Sequence, residues 1–191
     1  MIYIIDDFLN KELLENITDN LKDFKKVTTK EKDFWTMTPS NEFINYMVKR
    51  LSYEEATNIE NILCFFRESK KDQDNTWRIH NDSIINNKQP DRALVLYLSE
   101  NETKELNGTA FWEHKIHGDK FSNTESVEEF NKMLREDAED LSKWNLKTVI
   151  GHKKNRLVSY SCEYFHSKYP NEFLESRKVL VMFYKSSNEK M

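Results

Sequence analysis

The sequence predicts an α+β fold with a β-rich core, a sandwich or jelly roll with helices packed on one side. Three observations lead there. Two amphipathic helical patterns come first, between residues 10 and 51. Several short apolar runs bounded by polar residues follow, between residues 62 and 184. These runs lack the strand–helix alternation that a doubly wound parallel sheet requires.

The elements follow in order. Met1 to Asp6 reads as a short strand, and Asn10 as the N-cap of a helix carrying Leu13, Leu14, Ile17, Leu21 and Phe24 on one face. Thr38-Pro39-Ser40-Asn41 starts a second helix, with Phe43, Ile44, Met47, Val48 and Leu51 as its apolar stripe. Ile62–Phe66 and Ala93–Leu98 are short, continuous apolar runs of the kind found in buried strands. Asn107-Gly108 is a turn signal before a strand at Thr109–Trp112. Residues 127–144 read as a helix with Val127, Phe130, Leu134 and Leu141 on one face and Ser126 with Glu129 as a capping box. Arg156–Ser161 and Lys178–Tyr184 are the last two strands.

With 191 residues the expectation is a single domain. Residues 1–60 supply the N-terminal strand and supporting helices, and residues 61–184 the core, with a helical insertion at 113–150. Gly and Pro number only 3 each, so turns must be built from Asn, Asp and Ser, which bond their own backbone. Lys plus Arg total 29 against 33 Asp plus Glu, a net charge of −4. That balance argues against coating duplex nucleic acid. Two cysteines, Cys64 and Cys162, exclude a disulfide framework and a four-cysteine zinc site. No apolar run approaches the roughly 20 residues of a membrane span, and the N-terminus lacks signal-peptide character. The expectation is a protein of a reducing cytoplasm.

The candidate chemistry begins with His80-Asn81-Asp82. On an extended segment residues i and i+2 point the same way, so one ion can take a nitrogen from His80 and an oxygen from Asp82. A third ligand must come from elsewhere. His166, in Tyr164-Phe165-His166-Ser167, and His152, after Gly151, are the two candidates, and His166 is preferred. Two histidines and one carboxylate on one face of a metal leave open positions, the arrangement of non-haem Fe(II) oxygenases. Arg177 opens the last strand and shares a face with Val179, Val181 and Phe183. A guanidinium on such a face needs an anionic partner. Either a dicarboxylate gripped by its fork or a surface Asp or Glu would serve. His114 and His117 form an H-x-x-H spacing without a recognisable third and fourth ligand, and are placed at the rim or in solvent. Lys153, Lys154 and Arg156 read as a solvated basic face. Trp77 and Trp112 are candidates for the pocket wall. No third group or oxyanion loop accompanies Cys162 or Ser167, which argues against hydrolase chemistry.

In its ordered motifs the sequence resembles the Fe(II)/2-oxoglutarate-dependent dioxygenase superfamily. The motifs are Arg78-Ile79-His80-Asn81-Asp82, the strand Arg92–Leu98, Asn107–Trp112, Asn155–Val158 running into Phe165-His166-Ser167, and Ser176–Val181. The opening Ile4-Ile5-Asp6-Asp7-Phe8-Leu9 is similar to the start of prolyl-hydroxylase-like members, and the overall style to small oxygenases found in bacteriophages. The resemblance implies a double-stranded β-helix (jelly-roll) core. It implies Fe(II) on His80, Asp82 and His166, and 2-oxoglutarate with its distal carboxylate on Arg177. Dioxygen would be the second cosubstrate. Arg177 falls at the family spacing after His166, which decides against His152. Relatives often place a tyrosine where Tyr97 stands, its hydroxyl reaching the cosubstrate; a core tyrosine is the other reading. The implied activity is hydroxylation of a small-molecule or peptide substrate with release of succinate and carbon dioxide. The alternative is a catalytically inactive jelly-roll binding or virion-associated interaction module. Two departures from the family stand out: the long 113–150 insertion, where substrate specificity would reside, and Asn107 where relatives often have a second glycine.

Overall fold

The computed structural model of the chain describes residues 1–28, 33–70, 77–82, 85, 88–100, 108–120, 126–170 and 176–187. Asn107 of the anticipated turn, the side chain of Val127 and residues 121–125 of the insertion lie outside the described residues.

Among the described residues, ten strands and three α-helices make two antiparallel sheets with helical layers outside them. The larger sheet has the order β1-β8-β5-β10-β4-β3-β2. Its strands are β1 (Tyr3–Ile5), β8 (Leu157–Ser161), β5 (Arg92–Tyr97), β10 (Arg177–Ser187), β4 (Asn58–Ser69), β3 (Asp33–Met37) and β2 (Lys25–Thr28). The smaller sheet has the order β7-β6-β9, from Trp144–Ile150, Gly108–His114 and His166–Tyr169. Side-chain alternation divides the larger sheet cleanly. Leu94, Leu96, Leu180, Met182 and Phe66 face outward onto α1 (Lys11–Asn20) and α2 (Asn41–Glu55), meeting Ile17, Leu21, Met47 and Leu51. Val95, Tyr97, Val179 and Phe183 face inward, toward Phe111 and Ile150 of the smaller sheet. The third helix, α3 (Val127–Asp137), covers the outer face of that smaller sheet with Phe130 and Met133 against Trp112, Trp144 and Phe165. So α1 and α2 occupy one side, and the insertion brings α3 to the other.

Both early helices start where their caps predict. Asn10 accepts from the Leu13 N–H at 2.9 Å, and Ser40 from the Phe43 N–H at 3.2 Å. The first helix stops at Asn20, so Phe24 packs on the core from beyond its end. The helix expected over 127–144 ends at Asp137. Its last carbonyls are taken by other segments: Asp137 O accepts from Trp144 Nε1 at 2.8 Å and Ala138 O from the Ile79 N–H at 3.0 Å. Leu141 therefore leaves the buried face, at 38% exposure, and a single 3₁₀ turn over Leu141–Lys143 leads into β7. The end of the anticipated insertion, Trp144–Ile150, is thus a strand rather than helix. Among the described residues no helix is long and apolar enough to cross a membrane.

Candidate metal centre and its cavity

The segment 77–82 runs beside β9 at the edge of the smaller sheet, and the end of α3 holds it there. The Glu139 carboxylate accepts from the Trp77 N–H at 2.7 Å and the Arg78 N–H at 2.8 Å, while Ile79 binds the Ala138 carbonyl. Arg78 has a left-handed φ of 42°, a conformation that costs a non-glycine residue energy and that this clamp sustains. Beyond it the backbone extends. His80 and His166 exchange both backbone hydrogen bonds, at 3.0 and 2.8 Å, and the Asp82 N–H binds Cys162 O at 3.0 Å. A facing pair in such a bridge puts its side chains on one side, and the i, i+2 relation adds Asp82 to that side. Three residues up to 86 positions apart therefore converge, with ligand atoms all within 4.8 Å of one another.

The donor atoms suit a divalent metal. His80 Nδ1 lies 2.8 Å from Arg78 O, and His166 Nδ1 3.0 Å from Tyr164 O. A carbonyl only accepts, so each Nδ1 carries the proton and each neutral ring presents its lone pair at Nε2. Both Nε2 atoms face Asp82, at 3.8 Å for His80 and 3.2 Å for His166. Backbone carbonyls fixing the tautomer and orientation are the usual support of metal-binding imidazoles. Electrostatics agree. Burial alone would raise the Asp82 pKa, but the charge and hydrogen bond of His166, with His80 and Arg67, hold it below the usual carboxylate range. Burial works against the charged form of His166, yet Asp82 outweighs it and raises that pKa. For His80, burial and the neighbouring His166 charge win over Asp82 and push the pKa down to about 4. The carboxylate thus favours a cation beside it, at the point where the two Nε2 atoms and the Asp82 oxygens come together.

These three residues line a cavity of about 150 Å³ between the sheets, and Arg177 lines it too. Arg177 sits opposite Ser69 in the β10–β4 register and is 8% exposed. Its Nη1 donates to Gly108 O at 3.0 Å, and its guanidinium carbon lies 5.1 Å from the Tyr97 ring centre. Burial lowers its pKa, but a guanidinium stays charged in any accessible range. Tyr97 is fully buried, its hydroxyl 2.8 Å from Thr109 Oγ1; Thr109, not Tyr97, lines the cavity. On its other side Tyr97 stacks against His152, with ring centres 4.6 Å apart. His152 Nε2 donates to Ser99 O at 2.9 Å, and burial, then the Arg177 charge, push its pKa down to about 4. His152 thus stands behind Tyr97, and it is His166 that joins His80 and Asp82.

The remaining candidates divide. Trp77 lines the cavity, whereas Trp112 is buried beside it and donates from Nε1 to Ser167 Oγ at 2.9 Å. His114 is 1% exposed, with Nε2 3.2 Å from Asp137 and Nδ1 accepting from the Ile116 and His117 N–H groups. It is a structural histidine tying β6 to α3. Lys153 and Arg156 are ion-paired to Asp6, at 3.0 and 2.6 Å. Arg67, Thr109 and Lys168 line the cavity and escaped sequence reasoning. The available signal for Arg67 was alternation along β4, which puts it on the same face as Phe65 and Ser69.

No family model matches the sequence, and no curated protein matches it. Solved structures do match. HygX from Streptomyces hygroscopicus, with nickel, 2-oxoglutarate and hygromycin B bound, superimposes with a TM-score of 0.64 at 11% identity, over 98% of this chain and 83% of HygX. An oxidoreductase of the 2OG-Fe(II) oxygenase family from Burkholderia pseudomallei gives 0.61 at 13% identity, over 96% of this chain and 85% of that one. A prolyl-4-hydroxylase from Pseudomonas putida gives 0.53 at 12% identity, over 98% and 93%. The chain thus has the fold of these 2-oxoglutarate–Fe(II) oxygenases, the prolyl-4-hydroxylase included.

Proposed function

We propose that this chain is an Fe(II)- and 2-oxoglutarate-dependent oxygenase that hydroxylates a protein side chain or a small molecule, with release of succinate and carbon dioxide. One observation carries the reading: two imidazoles and a carboxylate with ligand atoms within 4.8 Å share a cavity with a buried guanidinium, on the fold of such enzymes. Fe(II) with 2-oxoglutarate and dioxygen supplies the oxidising chemistry when bound. The chain supplies the rest. His80 and His166 give their Nε2 lone pairs and Asp82 a negative oxygen. Together these three would hold Fe(II) at the wall of the cavity that Arg177 also lines. Arg177 grips the far carboxylate of 2-oxoglutarate. Gly108 O and the Tyr97 ring fix the plane of its guanidinium, so Tyr97 acts from beneath the anchor. Phe65, Val179 and Val181 keep the reacting centre dry. The buried free thiols of Cys64 and Cys162 fit a reducing cytoplasm.

The test is direct. Anaerobically reconstituted protein should bind one Fe(II) and one 2-oxoglutarate per chain, and on exposure to dioxygen form succinate in a reaction that Asp82→Ala abolishes. Protein that binds neither, or succinate formation unaffected by Asp82→Ala, would contradict the reading.

A further inference from the structure

Tyr97 and Thr109 share one hydrogen bond and bring two hydroxyl hydrogens to it. The oxygens lie 2.8 Å apart, and among the described residues neither hydroxyl has another partner. One bond uses one hydrogen, so the other is left over. If Thr109 donates, the leftover hydrogen is the phenolic one of Tyr97, a side chain that is 0% exposed. A buried donor without an acceptor forfeits the hydrogen bond it made to water in the unfolded chain. If Tyr97 donates, the leftover hydrogen belongs to Thr109, which lines the cavity between the sheets. There it can meet a ligand. The second arrangement strands no buried donor and is the one the burial favours.

The surroundings fix where that hydrogen goes. Thr109 lies two residues before Phe111 on β6, on the face turned toward the larger sheet. The residue before it, Gly108, presents the carbonyl that accepts from Arg177 Nη1 at 3.0 Å. The Arg177 guanidinium carbon is 5.1 Å from the ring centre of the same Tyr97. The threonine hydroxyl therefore stands beside the anchor. Tyr97 is itself held, because His152 stacks on its ring at 4.6 Å between centres and bonds Ser99 O at 2.9 Å. A threonine hydroxyl rotates freely, but a fixed donor on its oxygen restricts the direction left for its own hydrogen.

We infer that the Thr109 hydroxyl donates to the far carboxylate of 2-oxoglutarate beside Arg177, and that Tyr97 is the positioning residue that turns it there. This rests on the oxygenase reading above. Tyr97 then contributes to cosubstrate binding without lining the cavity. A hydrogen bond to a charged acceptor is roughly twice as strong as one between neutral groups, and the bond from Tyr97 polarises the threonine O–H further.

The experiment titrates the full chain, loaded with Mn(II) and kept free of dioxygen, with 2-oxoglutarate and with 2-oxopentanoate. The second ligand has the same keto acid head and a methyl group in place of the far carboxylate. Thr109→Val keeps the side-chain shape and removes the hydroxyl. It should weaken 2-oxoglutarate about tenfold and leave 2-oxopentanoate within about twofold, so selectivity between the two falls. Thr109→Ser should restore that selectivity. Tyr97→Phe should weaken 2-oxoglutarate about threefold, again sparing 2-oxopentanoate, and it decides the matter independently should Thr109→Val fold poorly. The inference is overturned if Thr109→Val keeps the wild-type selectivity, whether both affinities stay or fall in step as for a merely structural threonine. It is also overturned if Tyr97→Phe leaves 2-oxoglutarate binding unchanged or tightens it. Tightening would mean that Thr109 had been giving its hydrogen to Tyr97. Failure of the metal-loaded wild type to bind 2-oxoglutarate removes the oxygenase reading and this inference together. Normal wild-type binding with either overturning result removes this inference alone.

Discussion

Replacing Arg177 by lysine keeps a positive charge at the start of β10 but removes a planar donor set. In the structure Nη1 is committed to Gly108 O at 3.0 Å, and the plane stacks over Tyr97. A guanidinium so held would meet a carboxylate in a fixed direction. A lysine ammonium is a point charge on a flexible stem and cannot hold Gly108 O and both carboxylate oxygens at once. Losing one charge-assisted hydrogen bond costs about 1.5–3 kcal/mol, which is roughly a ten- to hundredfold loss of 2-oxoglutarate affinity. Metal affinity should be unchanged, because Arg177 touches none of the three ligands. Calorimetric titration of 2-oxoglutarate into Mn(II)-loaded wild type and Arg177→Lys separates the two quantities. Equal 2-oxoglutarate affinities would refute the assignment and move the anchor elsewhere, with Arg67, its diagonal neighbour on β4, as the next residue to vary.

Four further outcomes are expected. Asp82→Ala removes the only carboxylate among the described lining residues and should abolish stoichiometric metal binding, read by equilibrium dialysis; retained stoichiometry would place the metal elsewhere. Metal affinity should fall in acid. His166 titrates above its ordinary value and His80 near pH 4, so below the raised pKa of His166 the incoming ion must displace one proton, and near pH 4 a second. A Mn(II) affinity constant from pH 8 to pH 5 would contradict this. Gly108→Ala places a methyl 2.0 Å from Ile150 O, forcing β6 and β7 apart. It should lower stability by about 2 kcal/mol or more in denaturant titration and weaken 2-oxoglutarate binding through the displaced Gly108 carbonyl; a variant unchanged in both would show that the strands can give. Glu139→Ala releases the Trp77 and Arg78 N–H groups. Metal affinity should drop about tenfold, the usual order for groups that orient metal ligands, whereas an unaltered affinity would mean the 77–82 segment holds itself.

Much of this arrangement is legible in the residues themselves. The i, i+2 geometry of His80 and Asp82 follows from strand periodicity. Arg177 among Val179, Val181 and Phe183 announces a charged group on an inward face. Asn10 and Ser40 mark helix starts because their side chains satisfy backbone donors that nothing else nearby can reach. The strands that sequence reading misses share a cause. In β2 every residue, Lys25 to Thr28, is exposed, so no apolar alternation exists to detect. In β7 only Trp144 and Ile150 are buried, with exposed residues between them. Leu141, placed on a helical face by spacing alone, drew the helix forward over the start of that strand. The four residues of β9 are too few for any period, although the strand begins with His166. Alternation along β4 marks only the face of Arg67; its place beside Arg177 depends on cross-strand register with Val179, which no single segment encodes. The clamp of Glu139 on Trp77 and Arg78 depends likewise on tertiary placement. It joins the end of α3 to the 77–82 segment, across 62 and 61 residues of sequence.

The most direct test of the central claim is a crystal structure of the chain with Mn(II) and 2-oxoglutarate bound. The account predicts one ion bonded to Nε2 of His80, a carboxylate oxygen of Asp82 and Nε2 of His166, with the far carboxylate of 2-oxoglutarate on the Arg177 guanidinium. An ion held by other residues, or a 2-oxoglutarate lying away from Arg177, would contradict it.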